Sequence, residues 1–308
     1  SMLLLPFVAI WGTGFPDSLL LQVVTCIGVV YAIRLYKKVA ANQHMLTYTV
    51  LFLYLANGYL FIGLTGWVWF FAQSVCFTLC LMALTYAVMG RGGLSLTCLA
   101  CAVGCRPMLM IYLPLLLLIL WNKCGEERSV RGVFRLIRKK WYWGIAPLIV
   151  GGSYMALNYL RFGSVFEFGH SYLPEFTRSA EGQFSLSYFW NNFVKLFALP
   201  QYNGDSAAMT FSKYEGSAFW LTNPMFVWAL IVWVVDLVKR EGVNRVQHAV
   251  FPLLVLAHLF FICCHRTLGG WQFGNRYLVD FLPFLYFGMI RSRAWDRRLC
   301  RWSLPTFA

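Results

Sequence analysis

Apolar runs of about twenty residues recur along almost the whole chain, and no other feature limits the fold so strongly. A helix that crosses the hydrocarbon layer needs roughly 20 residues, and most runs in this 308-residue sequence are near that length. Hydrophobic residues make up 59% and charged residues 12%, against roughly 45–50% and about 25% in soluble domains. One soluble core cannot absorb so much apolar chain. The expected fold class is all-α: a polytopic transmembrane helix bundle, a single domain over residues 1–308.

The runs predict spans over Ser18–Tyr36, Met45–Leu64 and Trp67–Val88, then a short pair, Leu94–Cys105 and Met108–Trp121, broken by Arg106-Pro107. The pair reads as a thin hairpin or broken helix whose tip lies at membrane depth. Spans over Trp143–Leu160, Pro224–Val238, His248–Cys264 and Leu278–Ile290 complete about nine membrane segments. Two polar stretches interrupt them. Residues 123–140 form a strongly basic loop, and residues 161–222 form a long loop with room for surface helices. Within the latter, Ser185–Pro200 looks amphipathic, with Trp190, Phe193, Lys195 and Phe197, and is expected to lie on the outer surface. Leu3–Ile10 is too short to span and has no basic start or small-residue cleavage site, so it is not a signal peptide. Ser1-Met2 reads as a cleavage scar before a start methionine, or as the edge of a longer protein.

A net charge of +14 raises the question of nucleic acid, but the pattern excludes it. Basic residues cluster at the ends of apolar runs, as the positive-inside rule expects. Alternate loops carry nineteen of the 26 basic residues and five of the twelve acids, which leaves +14 on one face. The other face carries seven of each. The basic face, with the arginine-rich tail, is expected in the cytoplasm. The 161–222 loop and the Gly269–Arg276 loop then share the outer compartment and can build one site. The host expected from this pattern is a bacterial cytoplasmic membrane.

Four groups converge on that outer face. In Gly269-Gly-Trp-Gln-Phe-Gly-Asn-Arg-Tyr-Leu-Val-Asp-Phe-Leu-Pro283 a glycine-rich aromatic loop delivers Trp271, Asn275 and Arg276 to the mouth of an apolar helix. A planar guanidinium fork suits phosphate, and glycine permits close backbone approach to a ligand. The simpler reading is an aromatic belt with a snorkelling arginine. The second group, Asn158–Tyr172, sets Arg161, Glu167 and His170 outside a helix end, as a lid or wall of the ligand site or as a loop laying aromatics on the bilayer. Third, Arg106 sits in the membrane turn, and a cation there needs a partner: a carbonyl-satisfied kink, or a lipid phosphate. Fourth, Asp280 lies four residues after Arg276 and is expected to pair with it.

The remaining candidates read as structural. His258 and His265, seven apart, are expected to pack; His44 and His248 sit at cytoplasmic ends. Cys26, Cys76, Cys80, Cys98, Cys101 and Cys263 lie inside apolar runs. The close pairs Cys101/Cys105 and Cys263-Cys264 lack metal-ligand spacing, so no metal is expected. No Ser-His-Asp spacing, phosphate loop or dinucleotide fingerprint occurs, so no cofactor is expected either.

Three blocks resemble polyprenyl-phosphate-sugar-dependent membrane glycosyltransferases of the GT-C type, akin to protein O-mannosyltransferases and aminoarabinose transferases. They are Gly104-Cys-Arg-Pro-Met-Leu-Met-Ile-Tyr-Leu-Pro114, Asn158–Tyr172 and Gly269–Pro283. A weaker fourth, Leu3-Leu-Leu-Pro-Phe-Val-Ala-Ile-Trp-Gly12, is similar to the family's amphipathic outer helix. The resemblance implies transfer of a sugar from a polyprenyl-phosphate donor to an acceptor glycan, lipid or protein at the extracytoplasmic face. It implies cations at the departing phosphate, a role that falls to Arg276 and then Arg106, and a carboxylate base at the acceptor. In the family that carboxylate precedes the block similar to Leu3–Gly12. Asp17 lies after that block, so no residue here inherits the role, and the chain is expected to lack the family's first helix and first outer loop. Two further readings stay open: a non-catalytic lipid-linked-sugar binding protein, flippase or transporter, and an oligosaccharide polymerase or ligase.

Overall fold

The computed structural model describes residues 4–41, 43–64, 66–125, 129–203, 208–210, 216–239, 245–270, 272–292 and 295. Trp271 lies outside the described residues, as do the tail arginines Arg293, Arg297, Arg298 and Arg301 and the loop charges Glu126, Glu127, Arg128, Arg240 and Glu241. So does the side chain of His170, whose backbone belongs to a short 3-10 turn, His170–Tyr172.

The chain is mostly helical. Its helices are α1 (Leu5–Trp11), α2 (Asp17–Val39), α3 (Leu46–Leu55), α4 (Tyr59–Gly63), α5 (Val68–Val88), α6 (Gly92–Cys105), α7 (Leu113–Cys124), α8 (Val130–Lys140) and α9 (Ile145–Phe162). Then come α10 (Pro174–Thr177), α11 (Ser187–Phe197), α12 (Phe219–Thr222), α13 (Met225–Lys239), α14 (Arg245–Cys264) and α15 (Leu282–Arg291). A two-stranded antiparallel ribbon pairs β1 (Gln201–Asn203) with β2 (Ala208–Thr210), Tyr202 facing Met209. The all-α expectation had no place for this ribbon. Among the described residues three helical segments are long and apolar enough to cross a membrane: α2, α5 and Pro107–Cys124. They give the chain the character of a membrane protein.

The core is built around α5, whose side chains are buried on every side, from Phe70 and Gln73 to Leu84 and Thr85. Between apolar helices in lipid, close approach and polar cross-links do the work that water-driven burial does elsewhere. Both devices join α2 to its neighbours. A Cβ on Gly28 would stand 2.7 Å from Thr78 Oγ1, so only glycine admits α5 at this distance. Thr78 Oγ1 donates to Val24 O at 3.1 Å, and Gln22 Nε2 donates to Gly63 O at 3.1 Å. The outward face of α2 leaves Leu19, Val23, Ile27 and Val30 exposed, a stripe at helical spacing suited to lipid.

The expected span Met45–Leu64 is broken, not continuous. Asn57 Nδ2 donates to Phe52 O at 2.7 Å, which ends α3, and Met225 N donates to Asn57 Oδ1 at 3.2 Å. Gly58 N donates to Asn223 Oδ1 at 3.0 Å. Two asparagines thus clasp the break to the start of α13. The 123–140 segment also differs from the expected loop, because Ser129 caps α8 by accepting from Gly132 N at 3.1 Å.

Two breaks share one design. After α6, Arg106 takes an extended conformation ahead of Pro107, as residues before proline do. A six-residue 3-10 segment, Pro107–Tyr112, leads into Leu113-Pro114 and α7. The expected final span likewise opens as a six-residue 3-10 segment, Arg276–Phe281, leading into Leu282-Pro283 and α15. The sequence reading found only the first break. Tyr112 of the first break stacks on Phe284 of α15 with centroids 3.6 Å apart, and His258 of α14 stacks on Phe281 of the second at 4.1 Å.

Candidate functional site

The site grows from these two breaks. The Arg276 peptide is pinned on both sides. Its N–H donates to Gln272 Oε1 at 2.9 Å, and its carbonyl accepts from Gln73 Nε2 at 2.6 Å. Gln73 Nε2 also donates to Asp280 Oδ1 at 2.8 Å. Asp280 Oδ2 accepts from Arg106 Nε at 2.8 Å. The expected Arg276–Asp280 pair is therefore replaced by an Arg106–Asp280 pair. The 3-10 winding from Arg276 to Phe281 has three residues per turn, so positions four apart no longer lie one above the other. Asp280 turns instead to α5 and the neighbouring break.

Arg106 thereby has a carboxylate partner, and among the described residues Arg276 has none. Arg276 is 8% exposed, makes no ion pair with a described carboxylate, and its Nε is buried without a hydrogen-bond partner among the described residues. Its guanidinium carbon lies 5.2 Å from the Tyr277 ring and 5.7 Å from that of Phe70. The Arg106 guanidinium stands 4.4 Å from the same Tyr277 ring. Two guanidiniums thus lie near the one Tyr277 ring, and among the described residues Asp280 is the one carboxylate that pairs with either of them. Asn275 is fully buried, and neither its Nδ2 nor its Oδ1 has a partner among the described residues.

Glycines shape this corner. Gly274 (φ +69°) and Gly269 (φ +113°) hold backbone conformations that side chains disfavour. A Cβ on Gly274 would stand 2.2 Å from Thr222 Oγ1, and one on Gly269 would stand 3.0 Å from Arg276 Nε. Ser217 N donates to Gly274 O at 3.2 Å, tying the loop to the start of α12.

His265 joins this corner to the long loop. Its Nδ1 lies 2.7 Å from Thr267 O and 3.2 Å from Thr267 N, and its Nε2 lies 3.1 Å from Gln183 Nε2. Its ring meets Phe176, Phe184 and Tyr277 edge-on with centroids 5.0–5.9 Å away. Backbone bonds run alongside: Ser185 N to Cys264 O at 3.0 Å, and Arg266 N to Gln183 O at 2.9 Å. Arg266 also carries a buried Nη1 without a partner among the described residues. The two loops that the charge pattern put on one face are in direct contact.

On the far side of Gln183 lies a cavity of about 310 Å³ lined by Phe166, Glu167, Phe168, Ser171, Phe176, Gly182 and Gln183. Glu167 is set in place by Gly169 N, which donates to Oε1 at 2.6 Å, and by the Ser171 hydroxyl. The cavity does not reach Arg276 itself; Gln183, His265 and Tyr277 form the path between them.

Of the sequence candidates, Arg276, Asn275 and Arg106 come together, and Glu167 lines the adjoining cavity. Arg161 stands apart at the exposed C-terminus of α9, its guanidinium 5.0 Å from the Phe162 ring. Trp271 and the His170 side chain are outside the described residues. Gln73, Gln183, His265 and Arg266 were missed. A glutamine in the middle of the Trp67–Val88 run was the one available signal, since polar residues inside spans are costly. Among the described residues no three His, Cys, Asp or Glu gather as a metal site. Comparison with protein-family models, curated proteins and solved structures finds no match to this chain.

Proposed function

We propose that this protein is a GT-C-type membrane glycosyltransferase that takes a sugar from a polyprenyl-phosphate donor at the outer face of a bacterial cytoplasmic membrane. About nine membrane segments carry the basic loops and tail on the cytoplasmic side. Arg276, assisted by Asn275, receives the lipid phosphate. The cavity beside Glu167 receives the sugar or the acceptor hydroxyl, an aromatic-walled space with a few polar groups as small-ligand sites have. No residue of the chain is assigned as the catalytic base.

One observation carries the reading: Arg276 is buried and pairs with no carboxylate among the described residues, while the nearby Asp280 is committed to Arg106. An uncompensated buried charge is unfavourable unless an anion joins it, and phosphate matches the guanidinium fork. Mass spectrometry of lipid co-purified with the protein tests it. A bound polyprenyl phosphate is expected; its absence from protein purified in mild detergent, with no uptake on addition, would overturn the reading.

A second reading, a lipid-linked-sugar flippase or transporter, gains from the paired breaks at Arg106 and Arg276. Broken helices in corresponding positions mark the binding centre of many transporters. Proteoliposomes separate the two: transfer of the sugar to an acceptor supports the first, and transbilayer movement of an intact lipid-linked sugar supports the second.

A further inference from the structure

We propose that α8 lies in the membrane interface and binds the headgroups of anionic phospholipids. The helix is amphipathic over its whole length. Arg131, Arg135 and Arg138 recur at i, i+4 and i+7 along one face, with Lys139 beside them. Phe134 and Ile137 form an apolar edge alongside that face, and Trp141 continues it one turn on. These three are 69%, 58% and 66% exposed, an apolar edge that the other described residues leave uncovered. Five basic residues and no acid lie within α8. Glu126 and Glu127, the acids nearest in sequence, are outside the described residues.

The helix is held where a bilayer surface would meet it. It follows the membrane-length segment Pro107–Cys124 and precedes the apolar α9. At its C-terminal end the Trp143 ring sits against Gly92, where a Cβ would come within 2.1 Å of the indole. Lys140 Nζ lies 5.4 Å from the Trp143 ring and 5.9 Å from that of Tyr142. In the proposed pose α8, tied to the bundle at this end, turns its apolar edge to the acyl boundary and its arginines to the phosphates. An apolar edge combined with a one-signed basic face is the pattern of interfacial helices, and its complement is an anionic lipid surface. The same charge pattern in a solvent-exposed loop would require neither the helix nor the aromatic edge.

The test uses the full-length protein in nanodiscs of phosphatidylcholine alone and of phosphatidylcholine mixed with phosphatidylglycerol. Hydrogen exchange is followed for peptides covering residues 129–144, with peptides of α5 as a folding control. Exchange in α8 is expected to slow roughly tenfold or more in the phosphatidylglycerol discs. The triple variant Arg131→Gln, Arg135→Gln, Arg138→Gln is expected to lose that lipid dependence, and Phe134→Ser with Ile137→Ser to lose protection in both discs. Equal exchange in the two lipids, or a triple variant that still distinguishes them, overturns the proposal. The result is independent of whether Arg276 binds a lipid phosphate.

Discussion

Arg106 and Asp280, 174 residues apart, are joined by a 2.8 Å bond from Nε to Oδ2, and their side chains are 24% and 4% exposed. The pair locks two proline-marked breaks to each other, while Gln73 of α5 holds the second oxygen of the carboxylate. Removing one member of a buried pair leaves the other uncompensated. Asp280→Asn is expected to destabilise the protein by about 3 kcal/mol or more. Arg106→Met in the same chain should recover part of that loss. Thermal unfolding in detergent measures both, and strictly additive losses would contradict the pairing.

The same geometry separates the two arginines by function. Arg276→Ala is expected to weaken binding of a polyprenyl phosphate roughly tenfold to hundredfold, the worth of a lost charge-assisted contact. Lys195→Ala, on α11, should leave binding within about twofold, as surface charges usually do. Titration of the purified protein with the lipid phosphate decides this; equal effects would sink the phosphate role of Arg276.

Gly274 is the tightest point of the loop that presents Asn275. Gly274→Ala meets both a disfavoured φ of +69° and Thr222 Oγ1 at 2.2 Å. A loss of about 1–3 kcal/mol from the backbone alone is expected. Thr222→Ala in the same chain should relieve the contact and leave the backbone cost. A Gly274→Ala protein that unfolds at the temperature of the wild type would show that the loop does not hold this conformation.

Glu167 offers a cleaner test of the cavity than a truncation does, because Gln keeps an acceptor for Gly169 N. Glu167→Gln is expected to leave lipid-phosphate binding unchanged and to weaken the sugar or acceptor side about tenfold, since hydrogen bonds to a charged acceptor are roughly twice as strong as neutral ones. The measurement is KM for the acceptor in a transfer assay. Loss of phosphate binding in this variant would contradict the separation of the two subsites.

Much of the architecture was legible because apolar helices announce themselves locally. The helices α2, α5, α6 and α9 follow from the apolar runs alone, and Arg106-Pro107 marks its own break through the proline. The break at Asn57 was not legible, since an asparagine ends a span only when Asn223 and Met225, more than 160 residues away, are there to bond it. The break before α15 was hidden for a related reason: nothing in Arg276–Phe281 distinguishes 3-10 from α winding until Gln73 and Arg106 claim its carbonyl and its carboxylate.

By itself the sequence determined an apolar, mostly helical chain with membrane-length segments, its charge sorted between alternate loops, and two loops destined for the same face. These are local properties, set by composition, length and end charges. Only the tertiary structure decided which arginine Asp280 pairs with. Asp280 lies four residues from Arg276 in sequence, yet it bonds Arg106, because ion pairs form across the packed faces of different segments and a 3-10 turn does not align positions four apart. Arg276 is for that reason left without a carboxylate among the described residues, and no reading of its neighbours along the chain would have revealed it.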